Sequence, residues 1–182
     1  LSLGSSMLSN SDVRSVARPL MQELADFSQS MVSLASPDRL SMIYIENARS
    51  SSALTLALDV GSKIPLASSA IGRAYLAGVS EEERQAFYRL LESNDSKTAP
   101  KLIQGIEKAV KQYQELGCTC SFGDWQKDVN AIAIPVKHAG GMLPMAINCG
   151  GPAFNLSPEY LLDKIRPKLL ELGRKLATQG WK

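Results

Sequence analysis

The sequence predicts an α+β domain, one antiparallel sheet of about six strands flanked by helices. Three observations predict it. A length of 182 residues suits one domain. Helical and strand periodicities come in blocks, in the order helix, three strands, three helices, three strands, helix. Hairpin turns join neighbouring strands, as antiparallel pairing requires. With 45% hydrophobic and 21% charged residues the chain has the balance of an ordinary globular domain.

From Asp12 to about Gln29 the residues Val13, Val16, Ala17, Leu20, Met21, Leu24 and Phe27 recur at i, i+3, i+4 and i+7, the pattern of an amphipathic helix. Pro19 inside it predicts a kink. Met31–Ala35 and Leu40–Glu46 read as a hairpin around the turn Ser36-Pro37-Asp38-Arg39. Strict alternation over Ala53–Leu58 predicts a third strand, and Gly61–Leu66 reads as a loop. Ser68-Ser69 can cap a helix from Ala70 to about Ala77. Ser80 with Glu83 forms a capping box for a second helix reaching Leu91. Thr98 and Pro100 open a third, which presents Leu102, Ile103, Ile106, Val110, Tyr113 and Leu116 and stops at Gly117. Cys118–Phe122, Val129–Lys137 and Leu143–Cys149 are strands, the last two joined by the turn His138-Ala139-Gly140-Gly141. Ser157-Pro158-Glu159 starts a final helix carrying Leu161, Leu162, Ile165, Leu169, Leu172 and Leu176, bent at Pro167.

Composition excludes several functions. Lys plus Arg number 20 against 18 Asp plus Glu, and a net charge of +2 leaves no footprint for a polyanion. No apolar run approaches the roughly 20 residues of a membrane span, and no signal peptide opens the chain, so a cytoplasmic location and no membrane partner are expected. Three cysteines, Cys118, Cys120 and Cys149, lack disulfide-framework spacing and are expected as free thiols. Cys118 and Cys120 face the same way on a strand, but without Cys-x-x-Cys spacing they read as buried residues, so no metal and no cofactor is expected. His138, the single histidine, lies in a turn. It stands about 20 Å from Cys149 along an extended strand, which rules out a thiol–imidazole dyad. No phosphate loop occurs. An enzyme is not expected.

The residues that remain suggest a small-ligand site. The loop Gly61–Leu66 runs into Ser68-Ser69-Ala70-Ile71-Gly72, where the free N–H groups of a helix start favour a carboxylate. On residue types alone, Ser68-Ser69 acting only as a cap is an equal alternative. If Ser121, Val129, Ala131, Asn148 and Gly150 line the same hollow, the site is mostly apolar with a few neutral hydrogen-bonding groups, suited to a small organic acid.

Gly61-x-Lys63-Ile64-Pro65-Leu66-x-x-Ser69-Ala70-x-Gly72-Arg73-Ala74-Tyr75-Leu76-Ala77 resembles the effector-domain signature of the IclR (isocitrate-lyase regulator) family. Val129–Val136, the turn Ala139-Gly140-Gly141 and Ala146–Pro152 match that family's later strands in order and spacing, and the similarity spans nearly the whole chain. The resemblance implies a GAF-like effector-binding and oligomerisation domain over residues 11–182. It also implies that residues 1–10 are a linker, with Leu1-Ser2-Leu3-Gly4 the last strand of a missing winged helix-turn-helix domain through which DNA would be bound. A processed or tagged chain would begin similarly. The resemblance further implies a homodimer or homotetramer and an aromatic or keto acid effector touching Leu54, Leu56, Ile64, Ser69, Ala70, Ile71, Ser121, Val129, Ala131, Asn148 and Gly150. Ser121 stands where the family often has Asp, and Asn148 and Gly150 where it often has Ser, so the pocket's polarity is individual. Trp125 either stacks over a bound ring or anchors its loop. A structural oligomerisation domain with a vestigial pocket is the alternative.

Overall fold

A computed structural model describes residues 2–51 and 57–179, with side chains from residue 13 onward in the first helix. The chain runs α1 (Ser2–Ser28), β1 (Met31–Asp38), β2 (Ser41–Arg49), β3 (Lys63–Pro65), α2 (Ala70–Gly78), α3 (Glu81–Asn94), α4 (Ala99–Leu116), β4 (Thr119–Phe122), β5 (Val129–His138), β6 (Gly141–Pro152), α5 (Pro158–Tyr160), a π-helical stretch (Leu161–Ile165) and α6 (Arg166–Thr178). The strands form one six-stranded sheet in the order β3-β2-β1-β6-β5-β4, with every pair antiparallel. The α+β architecture expected from the block order is the one observed.

Each face of the sheet is covered by helices, and residues paired across a ladder share a face. One face carries the rows Cys120–Ile132–Cys149–Val32–Ala48 and Ile134–Ile147–Leu34–Glu46. The α1 stripe Val13, Ala17, Met21 and Leu24 packs on it beside Leu161, Ile165, Leu169, Leu172 and Leu176 of the C-terminal helices. Phe27 departs from the predicted stripe: its ring is exposed, with the Lys168 ammonium 4.6 Å from its centroid. The other face lies under α2, which is itself covered by α4.

A bulge sorts β2 between the faces. Leu34 stands opposite Glu46 while Ala35 stands opposite Tyr44, so Ile45 is the extra residue. Tyr44 is thereby turned towards α2, and Glu46 towards α1, where Arg14 meets it at 3.7 Å.

Several expectations need correcting. Of the strand expected over Ala53–Leu58, residues 53–56 lie outside the described residues, and Ala57 and Leu58 are in no strand. The third strand is instead Lys63–Pro65, inside the segment read as a loop, and it pairs with Ser41–Ile43. Three residues of a Pro-containing loop carry no periodicity, so only the edge of β2 reveals them as a strand. Ser2, Leu3 and Gly4 are helical, where the resemblance implied a strand. Pro37 lies within β1 opposite Met42, and the turn sits at Arg39-Leu40, with Arg39 at φ 57. β1 can hold a proline there because its pairing with β6 ends at Ala35, so the missing N–H costs no ladder bond. The bend expected at Pro167 takes the form of the π-helical stretch immediately before it, which re-registers the hydrogen bonds that proline cannot make.

Candidate functional site

The sheet face under α2 is lined by small and polar side chains. Its rows read Ser121–Ala131–Gly150–Met31–Arg49, then Thr119–Ala133–Asn148–Ser33–Asn47, then Pro135–Ala146–Ala35–Tyr44. Gly150 and Ala131 are packed so closely that a Cβ on Gly150 would stand 2.8 Å from the Ala131 methyl. Over this floor Ile64, Leu66, Ala70, Ile71 and Ala74 form one buried cluster with Met31, Met42, Tyr44, Ala131, Ala133 and Ala146.

Three devices fix the start of α2 above the sheet. The Ser69 hydroxyl donates to the Pro65 carbonyl at 2.5 Å and accepts the Gly72 N–H at 3.2 Å. Alternate residues of β4 reach up to the segment: the Ser121 hydroxyl donates to the Ser68 carbonyl and the Thr119 hydroxyl to the Ala70 carbonyl, both at 2.8 Å. The buried Arg73 guanidinium donates to the carbonyls of Ala67 and Cys120 and pairs with Asp124 at 2.6 Å. Gly72 makes the close turn possible, because a Cβ there would lie 2.0 Å from the Leu66 carbonyl oxygen.

The Ser69 carbonyl takes the Arg73 N–H. Among the described residues no acceptor takes the N–H of Ala70 or Ile71, which leaves both at the positive end of the helix dipole. The floor also holds polar atoms without partners among the described residues: Ser33 Oγ, Asn47 Oδ1 and Asn148 Oδ1 are buried and make no hydrogen bond there. Burial pushes the Tyr44 phenol up to about 12, against a hydrogen bond from Asn148 that pulls it down. The Tyr88 and Tyr75 phenols are raised mainly by burial as well.

Of the residues singled out in the sequence, Ile64, Ser69, Ala70, Ile71, Ser121, Ala131, Asn148 and Gly150 come together between α2 and this face. Val129 stands at its end, opposite Pro152. Leu54 and Leu56 lie outside the described residues. Ser121 is committed to the Ser68 carbonyl, so it positions the helix start. Trp125 is partly buried against the same cluster. Sequence reading missed Ser33, Tyr44 and Asn47; the signal was the polar Ser33 between Met31 and Ala35 on an otherwise apolar strand face. It also missed the joint role of Arg73 and Thr119 in fixing α2.

The cysteines lie on the opposite face. Cys118, Cys120 and Cys149 are free and buried, and Ile132 separates Cys120 from Cys149 across the strands. Burial raises the Cys149 thiol, and the hydrogen bond with Cys120 together with burial raises that of Cys118. His138 stands by the Leu176 carbonyl at 3.4 Å, at the far end of the β5–β6 hairpin. A cleft of about 840 Å³ lies on the outer side of the α2 start among Ser68, Arg73, Lys97, Lys101, Gly105, Lys108 and Asp124.

A sequence model described as the bacterial transcriptional regulator IclR C-terminal domain matches residues 5–178. The chain belongs to the IclR C-terminal family. It is 26% identical to the HTH-type transcriptional regulator KipR of Bacillus subtilis over 97% of this chain and 72% of that protein. It is similar to the crystal structure of an IclR family transcriptional regulator from Brucella abortus, at TM-score 0.86 and 38% identity over 97% of this chain and 66% of that one. It shares its fold with the PobR inducer-binding domain from Acinetobacter, solved as a double mutant with 3-hydroxybenzoic acid, at TM-score 0.72 and 18% identity over 89% of this chain and 95% of that one. The IclR chain spans 60% to 72% of the curated relatives KipR and AllR of Escherichia coli. Its relatives are named as transcriptional regulators. Among the described residues no helix is long and apolar enough to cross a membrane.

Proposed function

We propose that this IclR domain senses a small organic acid. Its carboxylate would be received by the N–H groups of Ala70 and Ile71, and its body would rest between Ile64, Ile71, Val129, Ala131, Asn148 and Gly150, with Leu54 and Leu56 among its contacts. The observation that carries the reading is a helix start with two free N–H groups above a floor of alanine, glycine and unpartnered buried polar atoms. A helix dipole and free amides favour an anion, and the small residues Ala131, Ala133 and Gly150 keep the floor below them free of bulky side chains. The acid held by the PobR domain is an aromatic one, in keeping with an aromatic or keto acid here. In a packed oligomerisation domain with a vestigial pocket, Ser33 Oγ and Asn148 Oδ1 would lie buried and unpaired with nothing gained in return, which disfavours that alternative.

The ligand would act by differential affinity for two arrangements of the segment Lys63–Ser69. That segment hangs on side-chain bonds from Ser121 and Thr119, so a carboxylate at Ala70 and Ile71 would bear on it directly. The first helix would carry the change to a winged helix-turn-helix preceding this domain, in a cytoplasmic homodimer or homotetramer whose DNA contacts lie in that other domain. Calorimetric titration of aromatic and keto acids into the chain is expected to find a binder with micromolar or tighter affinity. In the full-length regulator, Ser69→Trp should abolish the response to that acid. Uniform failure to bind, with Ser69→Trp leaving regulation unchanged, overturns the reading.

A further inference from the structure

The middle row of the α2 face runs Thr119, Ala133, Asn148, Ser33, Asn47. Its two ends differ. Thr119 is satisfied by the Ala70 carbonyl, whereas the three polar residues at the other end are each left one oxygen short. Asn47 gives its amide N–H to the Leu58 carbonyl at 3.1 Å, and the Asn148 amide lies by the Tyr44 phenol, which it pulls down against the effect of burial. Both keep a carbonyl oxygen, and these oxygens, with the Ser33 hydroxyl on the strand between them, are buried and unpartnered. Ser33 is fully buried and Asn148 is 6% exposed. Leaving such an atom unpaired costs about 1 to 3 kcal/mol.

An amide oxygen can only accept. Two such oxygens flank Ser33 on neighbouring strands, which run on the order of 5 Å apart. They repel a carboxylate and offer a keto or ether oxygen no hydrogen, while the Ser33 hydroxyl can donate as well as accept. Arg49, at the end of the adjoining row, gives Nη2 to the Leu58 carbonyl and Asp59, and among the described residues nothing pairs with its buried Nε. The acid end of a ligand is therefore better received at Ala70 and Ile71, and a group lying against the two amide oxygens gains by bringing hydrogens.

We propose that Asn47, Ser33 and Asn148 form a donor-reading subsite, selecting an acid whose far end carries planar N–H donors, a carboxamide or urea in place of a ketone. This rests on the acid-sensing reading above and narrows its ligand class. Matched pairs isolate the donor hydrogens, because an amide NH₂ replaces a methyl group at nearly constant shape. The pairs are 4-carbamoylbenzoate with 4-acetylbenzoate, and succinamate with levulinate, titrated calorimetrically into the 182-residue chain. The amide member is expected to bind about tenfold more tightly in at least one pair. Ser33→Ala and Asn148→Leu should bring that ratio towards one. Ketones binding as tightly as their amides overturn the subsite and leave the acid sensor standing, as does failure of both amides where other keto or aromatic acids bind. Failure of every acid overturns both. An arm without ligand tests the unpaired atoms themselves: Ser33→Ala is expected to hold or raise the melting midpoint of the free chain, and a fall of several degrees would mark the hydroxyl as a structural hydrogen bonder and overturn the subsite.

Discussion

The two faces of the one sheet are built from opposite materials. Towards α1 and α6, the inner strands present Val32, Leu34, Ile132, Ile134, Ile147 and Cys149. Branched side chains there interlock with the leucines of the C-terminal helices, and size and shape complementarity carries the stability. Towards α2 the same strands present Met31, Ser33, Ala35, Ala131, Ala133, Ala146, Asn148 and Gly150. Apart from Met31 and Tyr44 that face gives up large side chains, and it keeps polar atoms unpaired, a loss of stability that natural domains concentrate where they bind something. Alternation along three neighbouring strands thus separates the densely packed face from the one proposed to receive the ligand.

Ways to break this contrast run from large effects to small. Gly72→Ala puts a methyl group into the Leu66 carbonyl and is expected to lose on the order of 3 kcal/mol or more, seen as a collapsed chemical-denaturation midpoint. Ile147→Ala, on the packed face, is expected to cost about 2 to 5 kcal/mol in the same measurement. Its ligand preference should stay unchanged, since the side chain points away from α2. Tyr44 gives a pH signature. Its phenol stays protonated in the fold up to about 12, while an unfolded tyrosine ionises near 10. The folded state therefore holds the extra proton between those values. The stability it confers is complete below about pH 10 and falls by roughly 2 to 3 kcal/mol as pH climbs through the window. Melting curves of Tyr44→Phe should lose that part of the alkaline decline. The smallest effect is expected at Asn148→Leu in the unliganded chain, neutral or stabilising by up to about 1 kcal/mol. The same kind of change on the packed face, Ile147→Asn, should instead be strongly destabilising.

The packed face was the more legible one. The α1 stripe from Val13 to Leu24 and the series from Leu161 to Leu176 are written in helical spacing, and the alternation of β5 and β6 sorts isoleucines from alanines. The face under α2 is legible in outline, because Ser69, Ala70, Asn148 and Gly150 sit in signature positions. What escaped was set by pairing across strands. Asn47, Ser33 and Asn148 are neighbours only through the register of β2, β1 and β6. Tyr44 reaches that face only because of the bulge at Ile45, which shifts the period without a mark in the sequence. Lys63–Pro65 is too short for any period. Arg73 looked like one letter of a signature, and its four partners lie in Ala67, Cys120, Asp124 and, by close packing, Gly105.

Backbone amide shifts recorded during titration of the tightest-binding acid test the division of labour most directly. The account predicts saturable shifts at Ala70, Ile71, Asn148 and Gly150, with Ile147, Leu169 and Leu172 still. Shifts confined to the α1–α6 side, or to the lysines of the outer cleft at Lys97, Lys101 and Lys108, would contradict it.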